Sequence, residues 1–393
     1  MGSTGSIGRQ TLEVVAAYPD LFKVEALTAC RNWQLLAEQA LKFSPRCVVI
    51  ADSQYLEPLR QDLSGTDIEV LAGTEALDHA ATLPETDMVV GALVGYSGLE
   101  STIAALEAGK QLALANKETL VVAGEIISEI ARRKGIRILP VDSEHSAIFQ
   151  CLLGENPDAV SKIILTASGG PFRTVPRDRL AEVTVSQALA HPNWDLGAKV
   201  TIDSATMMNK GFEMMEAMWL FSKRPADIEV AVHPESIVHS MVEFVDGSVK
   251  AQLGLPDMRL PIEVAIAYPC RLDLMRGLST PRLNLTEAGR LTFEKPDLEK
   301  FPLLRLAYEV AEAGGLNPAL LNAGNEVAVK AFLQQRIGFT DIYEVVSRTV
   351  TDGSAAVASL PVSLMSIEEA HSLGTDIADK IIAEERHKTF SFK

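Results

Sequence analysis

Asp142, Ser143, Glu144 and His145 concentrate charge at the end of an apolar run, in "ILPVDSEHSAIFQ" (138–150), where a strand would be expected to stop. In an extended backbone, residues two apart share a face, so Asp142 and Glu144 can aim both carboxylates at one point. Such a pair suits a hard divalent cation. A plainer reading stands beside it, in which Asp142 or Ser143 caps the helix that "SEHSAIFQCLL" begins. A second concentration lies in "TIDSATMMNKGFEMMEAMWLF" (201–221), where Ser204, Asn209, Lys210 and Glu213 fall within about two to three helical turns. At i, i+3, Lys210 and Glu213 read by default as a surface ion pair, and the methionines as core. The Ser, Asn and Lys donors also suit a phosphate, and Glu213 could be a third carboxylate of a metal site. "LTASGGPF" (165–172) places Ser168 with two glycines after an apolar strand, which fits an anion-binding turn or an ordinary one. In "HPNWDLG" (191–197), His191 and Trp194 belong to a long polar loop, as part of a lid or as its anchor.

The first residues, "MGSTGSIGRQTLEVVAAYP", set glycines at 2, 5 and 8 ahead of an amphipathic helix. Glycines let a chain turn tightly against a pyrophosphate, and a helix N-terminus supplies positive potential to it. The spacing is G-x-x-G-x-x-G, so its weight comes from context. A second strand follows and ends in "TACRN" (28–32), where dinucleotide enzymes select their cofactor. Arg31 suits the 2′-phosphate of NADP, and otherwise reads as a solvated surface side chain.

These residues need a scaffold, and the chain supplies one in three styles. Through the first third, β-branched runs such as "FKVEALTA", "RCVVIAD", "MVVGALVG", "QLALAN" and "IRILPV" alternate with helical patterns. That rhythm predicts βαβ units and a doubly wound parallel sheet. In the middle third "KIILTAS" (162–168), "KVTID" (199–203) and "IEVAVH" (228–233) read as strands, and "MVEFVDGSVKAQLG" (241–254) as a hairpin turning at Asp246-Gly247. This predicts an α+β domain. A Pro-spaced stretch from 279 to 302 then reads as a linker, and the remainder as a small helical bundle.

At 393 residues the chain is long enough for two or three domains. With 47% hydrophobic and 22% charged residues it has the composition of a soluble globular protein. A formal charge of −16, from 36 Lys and Arg against 52 Asp and Glu, and the lack of a basic stripe argue against nucleic acid as a partner. The apolar runs are too short to cross a bilayer and no signal peptide opens the sequence, which points to the cytoplasm or an organelle lumen and to no membrane partner. Cys30, Cys47, Cys151 and Cys270 have no C-x-x-C spacing and are expected to be ordinary buried thiols.

Taken together, "GSTGSIG", "LANKE" (114–118), "PVDSEHSAIFQ", "SGGPF", "HPNW", "DSATMMNKGFE" (203–213), "HPESIVHSM" (233–241) and "LGLPDMR" (253–259) resemble the 1-deoxy-D-xylulose 5-phosphate reductoisomerases along essentially the whole chain. The resemblance implies a Rossmann-like NADPH-binding domain over 1–142, a catalytic domain over 143–278, a linker over 279–301 and a C-terminal helical domain over 302–393. It implies that Asp142, Glu144 and Glu213 bind Mg²⁺, Mn²⁺ or Co²⁺. By the same resemblance Ser168, Ser204, Asn209 and Lys210 hold the phosphate of a ketose substrate, and Ser143 and Lys117 contact its hydroxyls. His191 and Trp194 belong to a loop that closes over the site, with Met258 near the nicotinamide. NADPH contacts are implied for Thr4, Gly5, Ser6, Ile7, Arg31, Asn32, Asn116, Lys117, Glu118 and Gly197. The implied reaction rearranges the carbon skeleton and reduces the resulting aldehyde, giving 2-C-methyl-D-erythritol 4-phosphate for non-mevalonate isoprenoid synthesis. A homodimer in the bacterial cytoplasm, or in a plastid after processing, is the implied setting.

Two departures accompany the resemblance. Cys30 stands where related sequences carry a glycine before the basic residue. The family also opens with an apolar strand feeding "GSTGSIG", whereas here Met1 directly precedes Gly2. The expectation is that the full gene product carries such a strand, since a doubly wound sheet places it centrally, between the strands near 22–29 and 87–93. Two other readings stand beside the main one. A dehydrogenase of the aspartate-semialdehyde or homoserine kind would account for the first third only, and a catalytically impaired NADP- and phosphate-binding variant would follow if the missing strand abolished cofactor affinity.

Overall fold

The computed structural model describes residues 1–190 and 197–390, with the side chains of Arg276 and of residues 385–390 outside the description. His191 and Trp194 therefore lie outside the described residues. The chain runs α1 (Ser6–Ala17), β1 (Ala26–Ala29), α2 (Trp33–Phe43), β2 (Cys47–Ile50), α3 (Leu56–Asp62), β3 (Glu69–Ala72), α4 (Glu75–Ala81), β4 (Met88–Gly91), α5 (Leu99–Glu107), β5 (Gln111–Leu114), α6 (Lys117–Lys134), β6 (Ile138–Pro140) and α7 (Ser143–Cys151). It continues through β7 (Val160–Ala167), α8 (Val185–Ala188), α9 (Ala198–Thr206), α10 (Met208–Phe221), β8 (Ile228–Val232), β9 (Val238–Phe244), β10 (Val249–Leu253), α11 (Arg259–Ala267), α12 (Met275–Leu278) and α13 (Leu285–Ala288). Four long helices close it: α14 (Pro302–Ala313), α15 (Asn317–Leu333), α16 (Asp341–Val357) and α17 (Leu364–Phe390). Among the described residues no helix is long and apolar enough to cross a membrane.

Two compact units share these elements. The first comprises Met1–Thr119, Ile127–Phe149 and Asp257–Leu283. Its strands form two parallel three-stranded sheets, β1-β2-β3 and β4-β5-β6. Short runs such as Cys47–Ile50, buried at every position, suit strands covered on both faces. Leu27, Leu36, Val48, Ile50 and Leu59 pack into one core cluster there. The first three residues hydrogen-bond to both sheets: the Met1 ammonium donates to Val90 O at 2.9 Å, Ala92 N–H to Met1 O at 3.1 Å, and Ser3 N–H to Thr28 O at 2.8 Å. Burial lowers that ammonium to about 6. β3 is a strand that the sequence reading did not anticipate. Glu69 is exposed and Val70, Leu71 and Ala72 are only half-buried, whereas every other strand of the unit has buried positions.

The second unit comprises Leu120–Ile126, Gln150–Pro256 and Asn284–Lys393. Its sheet has the order β10-β9-β7-β8, with β7 parallel to β8 and antiparallel to β9. The predicted hairpin is present, with Gly247 at φ +82° and Asp246 Oδ1 accepting from Ser248 N–H at 2.9 Å. Residues 199–203, expected as a strand, lie instead inside α9. The β-branched run Val200–Ile202 suggested extended backbone, but Thr201, Ile202 and Ala205 bury one helical face, and tertiary packing overrides the local preference. Within the Pro-spaced stretch, Glu294 bridges Val232 beside β8, and Phe293 stacks on His233 at 4.7 Å. The helices α14 to α17 form the expected bundle, with Leu304, Leu320, Phe332, Ile342, Val346 and Ile381 at its core.

The cysteine expectation holds for Cys47 and Cys151, which are buried and whose thiols burial raises to about 11. Cys30 and Cys270 are exposed, each in a loop just beyond the end of an element rather than within one.

Candidate active site

In the first unit the glycine-rich residues form a tight turn into α1. Gly5 is the N-cap and offers no side chain to the helix. No acceptor among the described residues takes the N–H of Ser6, Ile7 or Gly8, as the opening turn of a helix dictates. Gly5 and Ser6 are exposed, with Thr4 and Ile7 half-buried beside them. Gly8 has to be glycine, because a Cβ there would sit 2.3 Å from Gly2 O and 2.5 Å from Ser3 Cα. The result is a set of main-chain donors with helix-dipole potential behind them, a ready anion cradle.

Arg31 and Asn32 follow β1, both exposed. Arg31 Nε pairs with Asp52 Oδ2 at 3.1 Å, so one edge of the guanidinium is engaged. Asn32 caps α2 through the N–H of Leu35 at 3.2 Å. Asn116 likewise caps α6 through Thr119 N–H and donates to Gly95 O at 2.9 Å, which occupies both ends of its amide. Glu118 is buried in the first turn of α6, and Met258 is the N-cap of α11.

The same unit holds the carboxylate pair. β6 ends at Pro140 and α7 begins at Ser143, so Asp142 lies at the helix start, where its O accepts Ser146 N–H at 2.8 Å and its Oδ1 accepts Glu144 N–H at 3.1 Å. The capping reading is therefore correct, and the extended backbone expected for Asp142–Glu144 is absent. Glu144 is in the first helical turn, not in a strand, and the carboxylates converge because a cap residue folds back over that turn. Oxygens of Asp142 and Glu144 lie within 4.8 Å of one another. Lys117 Nζ donates to Asp142 Oδ2 at 2.9 Å, with both side chains about a tenth exposed (11% and 10%). His145 Nδ1 is 3.0 Å from Asp142 Oδ1, and Ser143 Oγ donates to Glu144. Oxygen donors of this kind, partly shielded, fit Mg²⁺ or Mn²⁺ better than a soft metal.

The second unit holds the phosphate-type donors. Gly170, at φ +66°, comes so close to α9 that a Cβ would sit 2.6 Å from Ser204 O. The turn bearing Ser168 is thereby packed on the main chain of Ser204. Gly170 N–H donates to Ser168 Oγ at 3.2 Å. Between α9 and α10, Met207 adopts φ +61°, which breaks the helix and restarts it with Asn209, Lys210 and Glu213 on its first turns. The expected surface ion pair is a buried one: Lys210 and Glu213 side chains are 5% and 2% exposed and paired, and Asn209 Nδ2 donates to Glu213 Oε1. Gly197 is the N-cap of α9 and takes the N–H of Thr201 at 3.0 Å. The sequence reading missed Asp203, which is 1% exposed, pairs with Lys199 at 2.9 Å and accepts from Asn325 at 2.8 Å. Its i, i+4 spacing to Lys199 was the available signal.

A parallel-sheet unit with a glycine turn at a helix N-terminus and a basic residue after the next strand, in a chain that also carries clustered carboxylates and phosphate-type donors, defines an NADP-dependent oxidoreductase. Three family models match the chain: 1-deoxy-D-xylulose 5-phosphate reductoisomerase over residues 1–124, its C-terminal domain over 138–221, and a DXP reductoisomerase C-terminal domain over 253–375. The reductoisomerase of Chloroherpeton thalassium is 53% identical over 91% of this chain and 92% of its own, and that of Pelotomaculum thermopropionicum is 52% identical over 98% of each. Among solved structures, the enzyme from Zymomonas mobilis in complex with NADPH superposes with a TM-score of 0.90 at 43% identity, covering 97% of both chains. A reductoisomerase in complex with NADPH, fosmidomycin and magnesium superposes at 0.93 with 39% identity, covering 98% of both. The chain belongs to the 1-deoxy-D-xylulose 5-phosphate reductoisomerase family.

Proposed function

We propose that the chain converts 1-deoxy-D-xylulose 5-phosphate to 2-C-methyl-D-erythritol 4-phosphate, using NADPH and a divalent cation. The observation that carries this reading is the shielded pairing of Lys117 with Asp142 in one unit and of Lys210 with Glu213 in the other, in a chain with one solved relative in complex with NADPH and another in complex with NADPH, fosmidomycin and magnesium. Asp142, Glu144 and Glu213 are the proposed ligands of the cation, which when bound would polarise the substrate carbonyl and acidify the adjacent hydroxyl. Lys117 holds Asp142 in place and contributes positive charge beside the substrate oxygens. Ser143 contacts a substrate hydroxyl. Ser168, Ser204, Asn209 and Lys210 take the phosphate, and the Lys210–Glu213 pair lets one buried cation steady both the phosphate and a carboxylate. Binding energy from the phosphate, distant from the reacting carbons, is then available to order the site. His191, Trp194 and Met258 are proposed to cover substrate and nicotinamide.

The pyrophosphate of NADPH lies on the N–H groups at the start of α1, with Thr4, Gly5, Ser6 and Ile7 around it, and Arg31 meets the 2′-phosphate. Asn32, Asn116, Glu118 and Gly197 complete the proposed contacts. Asn116 acts through main chain or through shape, since both ends of its side-chain amide are engaged, whereas the cap of Asn32 uses only its Oδ1. Family membership with near-complete coverage of the relatives supports catalysis over an impaired binding variant. The active form is proposed to be a cytoplasmic homodimer, which sedimentation of the purified protein checks. Calorimetric titration with fosmidomycin tests the site: binding in the presence of NADPH should require Mg²⁺, because its hydroxamate chelates metal while its phosphonate takes the phosphate donors. Equal affinity after chelation of all divalent metal would contradict the reading.

A further inference from the structure

A buried side chain that none of these assignments uses holds the glycine turn from behind. Gln39 lies on the face of α2 that also carries Leu36, Ala37 and Ala40, and it is 7% exposed. An amide on an apolar face is costly unless its hydrogen bonds are made. Here both ends go to one residue. Nε2 donates to the main-chain O of Ser3 at 3.0 Å, and Oε1 accepts from Ser3 Oγ at 2.7 Å. Ser3 Oγ is also 3.2 Å from Thr28 O, which takes the Ser3 N–H as well, and Thr28 Oγ1 accepts Gly2 N–H at 2.9 Å. Every polar atom of Ser3 is thus engaged, on one side by β1 and on the other by Gln39. The orientation of the amide is fixed, because only its NH₂ can face the Ser3 carbonyl. A leucine would suit the surrounding core and leave that carbonyl without its donor.

We propose that Gln39 is a positioning residue for the dinucleotide: by clamping Ser3 it sets the path of Thr4–Gly5–Ser6 and so the aim of the Ser6, Ile7 and Gly8 N–H groups at the pyrophosphate. The clamp acts on the turn that leads directly into the uncapped start of α1, so a shift of Ser3 is passed toward those donors through only Thr4 and Gly5. This rests on the assignment of the cofactor to residues 4–7.

The test uses the full chain with Gln39→Met, which keeps length and removes both hydrogen bonds, and Ser3→Ala, which removes only the hydroxyl. NADPH affinity is measured by calorimetry without substrate, alongside kinetics. Gln39→Met should weaken NADPH by about 5- to 30-fold, the scale of one to two buried hydrogen bonds. Ser3→Ala should weaken it less. At saturating NADPH, kcat and the KM for 1-deoxy-D-xylulose 5-phosphate should stay within about twofold of the parent, a split that a general loss of folding would not produce. Gly8→Ala, whose Cβ would collide with Gly2 O and Ser3 Cα, displaces the turn directly and serves as control. If Gly8→Ala weakens NADPH and Gln39→Met does not, the clamp is wrong and the cofactor assignment stands. If neither weakens NADPH, the cofactor assignment itself falls. A Gln39→Met variant that lowers kcat and raises both KM values in parallel overturns the positioning role.

Discussion

Asp142→Asn removes one negative charge from the carboxylate pair while leaving side-chain volume nearly unchanged. Asp142 Oδ2 accepts the Lys117 ammonium at 2.9 Å and Oδ1 accepts Glu144 N–H at 3.1 Å, at a position about a tenth exposed (10%). An asparagine can keep only one of those acceptors. If its oxygen stays on Glu144 N–H, its NH₂ faces Lys117 as donor against donor, and one charge-assisted hydrogen bond is lost, about 1.5–3 kcal/mol. Loss of a charged ligand contact of the same scale would weaken a bound cation by about 10- to 150-fold. The loss of a formal charge among the ligands acts in the same direction. Electron paramagnetic resonance of free Mn²⁺ gives the dissociation constant, NADPH absorbance gives turnover, and a thermal melt reports folding. Retention of Mn²⁺ affinity within about threefold by a folded variant would refute Asp142 as a ligand, and with it the pairing to Glu144.

Gly170→Ala should raise the KM for substrate more than that for NADPH and lower the melting temperature, since its Cβ would press on Ser204 O and the residue holds φ +66°; unchanged kinetics would show that the turn does not shape the phosphate site. Arg31→Ala should weaken NADPH by roughly 1–3 kcal/mol and hardly affect NADH, an equal loss for both cofactors being the contrary result. Burial holds the His239 imidazole down at about 4. Because the unfolded chain takes up that proton near pH 6.5 and the folded chain does not, stability falls as pH drops from 7 to 5, by about 2 kcal/mol from this group. Denaturant titrations of His239→Gln should show a correspondingly shallower loss, and an identical pH slope would remove the histidine from the account.

The parallel-sheet unit was legible because Cys47–Ile50 and Leu112–Leu114 are apolar runs alternating with helical patterns. α9 was not, because Val200, Thr201 and Ile202 favour extended backbone locally, and only the burial of one helical face decides otherwise. The carboxylate pair was expected for the wrong reason, strand alternation where the backbone is helical. Asp142 and Glu144 converge through a helix cap, and a sequence shows the residues of a cap more readily than its geometry. Lys210 and Glu213 have the spacing of a surface pair, and nothing in that spacing tells that both are buried. Gln39 was invisible for a related cause: one polar residue on an apolar helix face gives no hint that its partner is a serine 36 positions away.

We propose that this chain reduces a phosphorylated ketose with NADPH by a route that needs a divalent cation. NADPH oxidation with 1-deoxy-D-xylulose 5-phosphate, followed at 340 nm with the product identified by mass, tests it most directly. Turnover is expected with Mg²⁺ or Mn²⁺, with formation of 2-C-methyl-D-erythritol 4-phosphate and loss of activity on chelation that is recovered when metal is restored; undiminished turnover in the chelated enzyme, or no oxidation by a folded, metal-supplied chain, would overturn this function.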